Sequence, residues 1–436
     1  MNENCDNKKN NGEETKKICI ETINPLKTIT NNDCFELIYN QDTFIDEVNE
    51  FLIKKITKNL DDFKVNIIVT CDLSINEDEV IKTLEKSLQY YCEHDKRIED
   101  EESIKKDKNY FKIEKVGSDK NKNTYYVIYN CKRYIYEVLN NIEDYLGNCL
   151  SMSDDINRDS NSYELYYHGQ DLSYDLSASI FRNKELLEHE KDLNSSVISR
   201  LPSNFPNYNS DLFNLVNLRH FSQPARLFDI SYNPLIGLYF ALASTSTSKL
   251  KSVYICFSEK DKEKYENDLD VIKLVCLTKL KTFSEKDGGF NRVQFMTKYK
   301  KILEKAYPIT EQELNKIDEN SLDQVFFVHT PLSNPRILQQ QGAFLIVGRN
   351  QEHPENQNTK KLLKYFTPTI PIKDDVSDSK NLKLLDDKTI VYIINPEFEQ
   401  TLLKHLDSLG YNKALIYPDL ENIISYLVDR LSNNEN

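Results

Sequence analysis

The 436-residue chain carries 70 Asp and Glu against 56 Lys and Arg, a formal charge of −14. That balance argues against a general nucleic-acid binder, which must neutralise phosphates with basic surface. Apolar residues at 39% and charged residues at 29% describe a largely globular chain, long enough for two or three domains.

Residues 1–30 begin with an Asn-, Lys- and Glu-rich stretch that lacks a signal peptide's apolar segment, and they are expected to form a disordered tail. A small α/β domain is expected over 31–132. Its predicted strands are Cys34–Tyr39 and Val65–Cys71, with helices at Thr43–Asn59 and Glu77–Tyr91. Asp95–Lys108 is a charge run and reads as an exposed loop. Tyr110–Val116 and Thr124–Asn130 read as a hairpin across the polar turn Gly117–Asn123.

Residues 133–436 are expected to form the larger domain, an α+β arrangement with a mixed sheet, flanking helices and a buried central helix. Tyr136–Cys149 has the spacing of an amphipathic helix, Ser151–Ser162 reads as a linker, and Glu164–Tyr167 and Leu176–Phe181 read as strands. Helices are expected around Asn183–Ile198 and over Asp211–Arg219. A compact loop then leads to a helix whose N-cap is Asn233 and whose first residue is Pro234. Leu235–Ala243 is apolar all round, so that helix must be buried. Ser252–Phe257, Gln324–Thr330, Ala343–Val347 and Thr389–Ile394 read as strands. Residues 258–320 read as a charged helical insertion or lid, and Asn350–Lys383 as a long polar loop. Helices at Glu397–Leu409 and Asp419–Leu431 close the chain, the first stopped by Gly410.

Nine cysteines are scattered from Cys5 to Cys276 without a C-x-x-C pair. They read as reduced thiols of a cytoplasmic protein, and no metal site is expected. No stretch approaches the ~20 apolar residues of a membrane span.

Three segments hold candidate chemistry. In Tyr167-His168-Gly169-Gln170, at a strand end, a glycine beside polar side chains admits close approach of a ligand. The run Arg219 to Pro234 places Arg219, His220, Arg226 and Asp229 ahead of a buried helix. Such charges must be paired or face a cavity, and Arg226 and Asp229 are close enough in sequence to pair. The third, Ser333 to Phe344, offers Arg336 and Gln341 as donors to carboxylate or phosphate oxygens, with Gly342 before a strand. Each segment also fits a structural role: a strand-end turn, an ion pair fixing a turn, and a solvated loop.

Together the three segments resemble the FRG family. Its aromatic-Arg-Gly strand end is matched by Tyr167-His168-Gly169, followed by Gln170. Its central signature is matched in order by His220, Pro224, Arg226, Leu227, Asp229, Asn233, Pro234 and Phe240-Ala241. Arg182 and Glu190 match a family Arg and a later Glu, Pro335-Arg336-Ile337 and Gln341-Gly342-Ala343-Phe344 its C-terminal motif, and Tyr417-Pro418-Asp419-Leu420 its closing turn. The chain departs from the pattern with His168 for Arg, Arg219 for Gln, Ser222 for Gly and Ala225 for Thr. His168 thereby removes a permanent charge and a bidentate fork.

The resemblance implies one cationic cleft. His168, His220, Arg226 and Asp229 are the implied catalytic residues, and Tyr167, Gly169, Gln170, Arg182, Glu190, Arg219, Arg336, Gln341 and Gly342 the implied ligand-binding ones. A phosphate-bearing small molecule is the expected partner, with Asp229 and Glu190 orienting arginines or acting as general base. Tyr-His-Gly is also similar to the strand motif that holds NAD in ADP-ribosyltransferases, which makes NAD the candidate cofactor. The expected function is an intracellular enzyme of stress or defence acting on a nucleotide-like ligand. The alternative is a non-catalytic sensor, with 31–132 contacting a protein partner.

Overall fold

The protein is described from a computed structural model. It describes residues 17–23, 34–38, 66–72, 78, 80–82, 84–86, 111–120, 123–130 and 134–433, apart from breaks at 158–161, 173, 175, 207–209, 245–249, 281–291, 331–333, 350–361, 363 and 368–387. The expected helix Thr43–Asn59, the loop Asp95–Lys108 and nearly all of the polar loop Asn350–Lys383 lie outside the described residues. The chain divides into two compact units, Met1–Asn24 with Asn31–Lys132, and Pro25–Thr30 with Arg133–Asn436.

The first unit holds an antiparallel sheet of β1 (Lys17–Ile23), β2 (Cys34–Ile38), β3 (Asn66–Asp72), β4 (Phe111–Ser118) and β5 (Asn123–Asn130), in the order β2-β1-β3-β5-β4. β1 corrects the expectation of a wholly disordered tail, because Lys17–Ile23 pairs with both β2 and β3. The β4–β5 hairpin forms as its sequence predicts. Its turn is tied by Asp119, which accepts from the Asn123 N–H and the Tyr125 hydroxyl.

The second unit is α+β. Its strands are β6 (Tyr134–Leu139), β7 (Tyr163–Asp171), β8 (Leu227–Ser231), β9 (Lys251–Glu259), β10 (Val325–Val328), β11 (Gly342–Val347) and β12 (Thr389–Ile394). They form one sheet, ordered β10-β11-β8-β7-β9-β12-β6. It is a mixed sheet, since β12 and β6 run parallel while the remaining neighbours are antiparallel. The helices are α1 (Ile142–Asn157), α2 (Lys184–Glu188), α3 (Glu190–Arg200), α4 (Asp211–His220), α5 (Pro234–Leu242), α6 (Leu269–Cys276), α7 (Arg292–Ala306), α8 (Glu311–Lys316), α9 (Pro335–Gln339), α10 (Glu399–Ser408), α11 (Lys413–Ile416) and α12 (Leu420–Asn433).

Paired residues on neighbouring strands share a sheet face. Tyr167 lies opposite Ser231, Asp229 opposite Phe344 and Leu227 opposite Ile346, so these side chains occupy one face. That face carries two cores. Around β7, β9 and β12, Tyr167, Val253, Ile255, Ile390 and Tyr392 pack on α1, α5 and α10. Around β8, β10 and β11, Leu227, Val328, Phe344 and Ile346 pack on α4, α6 and α7. Helix α5 is buried along nearly its whole length, with the Asn233 side chain capping Leu235 N–H and Pro234 opening it.

Four expectations are corrected here. Tyr134–Leu139 is a strand rather than the start of a helix. Its YIYEVL run is rich in aromatic and β-branched residues that suit a sheet, and Asn141 caps the helix that follows by accepting the Asp144 N–H. Helix α1 therefore runs through most of the expected linker, to Asn157. The compact loop before Pro234 contains β8, and the expected strand Leu176–Phe181 ends instead in a 3-10 turn, Ser179–Arg182. Residues 258–320, read as a helical insertion or lid, hold α6, α7 and α8; α6 and α7 extend the core over the sheet, and none of the described residues of this range lines the cavity beside β7.

Candidate functional site

β7 and β8 share one residue pair, Tyr167 with Ser231. Past that pair the strands part, and a cavity of about 550 Å³ lies beside the parting. The end of β7 contributes His168, Gly169, Gln170 and Asp171. Tyr174 and Arg182 follow in the chain, α4 supplies Arg219 and His220, β8 Asp229, α9 Arg336 and Gln340, and Tyr417 closes the wall. Segments far apart in sequence thus converge at one strand end.

The position of β7 depends on two facing glycines. A Cβ on Gly169 would lie 1.9 Å from the Gly237 carbonyl oxygen and 2.5 Å from Ala241 N, and one on Gly237 would lie 2.7 Å from Tyr167 Cβ. Helix α5 can lie directly on β7 only because neither residue has a side chain. Gly169 lines the cavity, but it is the helix, more than a ligand, that requires its missing Cβ.

His168 points to the other face of β7 from Tyr167. Its Nδ1 donates to the Asp229 carbonyl oxygen at 2.6 Å, since a carbonyl can only accept. Gln170 donates through Nε2 to the Tyr174 carbonyl oxygen at 2.7 Å, which turns its own Oε1 toward His168 Nε2 at 3.1 Å. The ring packs 4.2 Å from that of Phe228. Burial holds the His168 pKa below its ordinary value, and the Asp229 carbonyl and Gln170 oppose that shift.

Asp229 ties a second group to the same strand. Its Oδ2 accepts from Arg219 Nε at 2.9 Å and from Nη2, and this carboxylate raises the Arg219 pKa. One residue therefore fixes His168 through its backbone and Arg219 through its side chain. Arg336, held at the start of α9 by the Asn334 cap, donates to the His220 carbonyl oxygen at 2.6 Å and stacks 4.4 Å over the Tyr417 ring. Burial draws the Arg336 pKa down, and burial followed by the Arg336 charge does the same to His220. His220 Nδ1 is buried without a hydrogen-bond partner among the described residues. Arg182 donates to the Ser177 carbonyl oxygen at 3.2 Å and lies over Tyr174. Among the lining residues three arginines face two aspartates, giving a formal charge of +1 with both histidines neutral.

Other expected site residues lie elsewhere. Tyr167 is 4% exposed, in the core with α5. The expected Arg226–Asp229 pair does not form, because Asp229 holds Arg219 and Arg226 turns to Glu190. The Glu190 Oε2 accepts from Arg226 Nε at 2.8 Å and lies 2.6 Å from Nη2, while Nη1 donates to the Gly348 carbonyl oxygen at 3.1 Å. Neither partner lines the cavity. Burial pushes the Glu190 pKa up, with Arg226 opposing it. Gln341 and Gly342 also fall outside the lining. Gln341 takes a φ of +43° and its carbonyl oxygen accepts the Tyr232 N–H at 3.0 Å, while Gly342 pairs with Ser231 in the sheet. A Cβ at Gly342 would meet only ordinary contacts.

Asp171, Tyr174 and Tyr417 line the cavity without having been singled out as site residues. Asp171 follows Gln170 directly and could have been read from the strand end; the stacking of Tyr417 under Arg336, 81 positions away, carries no local signal. Ser222 has a φ of +62°, which explains the glycine of the FRG pattern at that position. Among the described residues there is no group of His, Cys, Asp and Glu suited to a metal ion, and no helix long and apolar enough to cross a membrane.

No curated protein and no solved structure matches the chain. Residues 163–250, from β7 through α5 and including His168, Arg219, His220, Arg226 and Asp229, match the family model described as FRG domain, so the chain carries an FRG domain over that segment.

Proposed function

We propose that the cavity binds a phosphate-bearing, nucleotide-like ligand, and that the protein is an intracellular enzyme acting on it, with NAD the candidate substrate. The observation that carries this reading is the convergence of Arg182, Arg219 and Arg336 on one cavity in a chain of net charge −14. Guanidinium groups recognise phosphate oxygens through paired N–H donors. About 550 Å³ suits a ligand of nucleotide size, and Tyr174, Phe240 and Tyr417 offer apolar and aromatic walls for a base or ribose. Buried free thiols at Cys149, Cys256 and Cys276 support a reducing compartment. A stress or defence setting rests on the FRG resemblance alone.

The roles follow from the contacts. Arg336, preorganised by Tyr417 and the His220 carbonyl, takes the phosphate, and Arg219, aligned by Asp229, adds a second charge. His168, with its proton held on Nδ1 by the Asp229 carbonyl, has Nε2 free to take a proton from the ligand, and the Gln170 side-chain oxygen accepts from Nε2 once it is protonated. One observation favours the non-catalytic sensor: Asp229 is occupied by Arg219 and Glu190 by Arg226, so neither carboxylate is available as a base without breaking a pair.

Release of nicotinamide from NAD by the purified full chain separates these readings. The enzyme reading expects turnover that Arg336→Ala abolishes. Absence of turnover with saturable nucleotide binding would leave the sensor, and absence of both would remove the nucleotide reading.

A further inference from the structure

Helix α4 has a second cavity on its other side. Val216, Arg219 and His220 face the site described above, whereas Asp211, Asn214, Leu215 and Leu218 face a space of about 640 Å³. This space is closed by α3, α7 and the 3-10 turn Leu277–Lys279. Ile198, Leu215, Leu218 and Ile302 supply an apolar lining, and Lys191, Lys279, Lys301 and Lys305 come from three different elements to meet around it.

The charge is one-sided. Four lysines face one carboxylate, Asp211, a formal charge of +3 in an acidic chain. Asp211 is already used, paired with Lys279 at 2.7 Å and accepting from the Tyr307 hydroxyl. Lys191, Lys301 and Lys305 form no ion pair among the described residues. Lys301 and Lys305 are four residues apart on α7, an arrangement in which like charges repel. A further observation lies in the wall itself: the side-chain carbonyl oxygen of Asn214 is buried without a hydrogen-bond partner among the described residues. A buried acceptor left unmet costs about 1–3 kcal/mol.

We infer that this second cavity is a binding site for a small anionic amphiphile, a phosphate or carboxylate head on a short apolar body. The head sits among Lys191, Lys301 and Lys305 and relieves their repulsion. The tail lies on Leu215, Leu218 and Ile302. Lysines, which act as point charges with rotatable donors, accept either head group. The site is independent of the first cavity, so its failure would leave the nucleotide reading untouched.

The test is calorimetric titration of the full chain with octyl phosphate and, in parallel, octanoate, both below their micelle concentrations. One molecule is expected to bind per chain, and inorganic phosphate and octanol each at least about tenfold more weakly, because head and tail both contribute. The amphiphile that binds more tightly identifies the head group. Lys301→Glu with Lys305→Glu should weaken binding at least about tenfold at an unchanged melting temperature, both side chains being exposed; Lys191→Glu alone reads the same effect from α3. Arg336→Ala, in the other cavity, should leave it unchanged. No saturable binding of either amphiphile, or equal affinity after the lysine reversals, would overturn the assignment.

Discussion

The segment from Arg219 to Asp229 supplies two arginines to two ion pairs of the same chemistry, and their surroundings differ. Arg226 and Glu190 have side chains 5% and 2% exposed, with a backbone carbonyl and the Phe181 ring completing the shell. Arg219 and Asp229 are 27% and 39% exposed and stand in a cavity wall. A pair sealed from water holds the fold together, because removing one member strands a buried charge. A pair left at a cavity edge costs little to rearrange and remains available to a ligand. Sequence proximity does not distinguish them; the partner each arginine finds does.

This comparison can be broken at its stronger end first. Arg226→Ala should lower stability by about 3–5 kcal/mol, read from denaturant unfolding, since Glu190 would be left charged in the core. Replacing both Arg226 and Glu190 by Met should recover much of that loss; a small loss in the single variant would show that the pair is not structural. Next in size is Gly169→Ala, where the new methyl would meet the α5 backbone at Gly237 and Ala241. Overpacking of this kind costs about 1–3 kcal/mol, and an unchanged melting temperature would mean that α5 and β7 are not in contact as described.

Much of the fold was legible because its signals are local. The Asn233-Pro234 start of α5, the β4–β5 hairpin and the end of β7 all rest on residues adjacent in the chain. β6 was misread as helix because Tyr134–Leu139 runs straight into α1, and only the Asn141 cap divides them. The cavity residues near β7 and α4 were legible through the FRG pattern. The exchange of partners between Arg226 and Asp229 was not, since Glu190 reaches Arg226 across 36 positions. Nor could the pattern distinguish a glycine serving a helix, Gly169, from one serving a ligand.

At the weaker end, Arg219→Ala should cost less than about 1 kcal/mol of stability, while removing a charge from the cavity. A loss as large as that of Arg226→Ala would erase the distinction between the pairs. The smallest effect concerns pH. Burial lowers the folded-state pKa of His168 and His220, so below the ordinary histidine value of about 6.5 the unfolded chain takes up protons that the folded chain refuses. Their contribution is therefore complete above that value, and stability should fall as pH drops from it toward the lowered pKa values. His168→Gln should make that decline shallower; a decline of the same slope would mean that His168 titrates normally.

The direct test of the central claim is a binding titration of NAD into the full chain and into Arg336→Ala, with Arg226 and Glu190 intact in both. The account predicts saturable binding at one site in the parent and a loss of at least about tenfold in the variant, the worth of one charge-assisted contact. Equal binding by the two proteins, or no binding by either, would contradict a cavity built to receive a nucleotide.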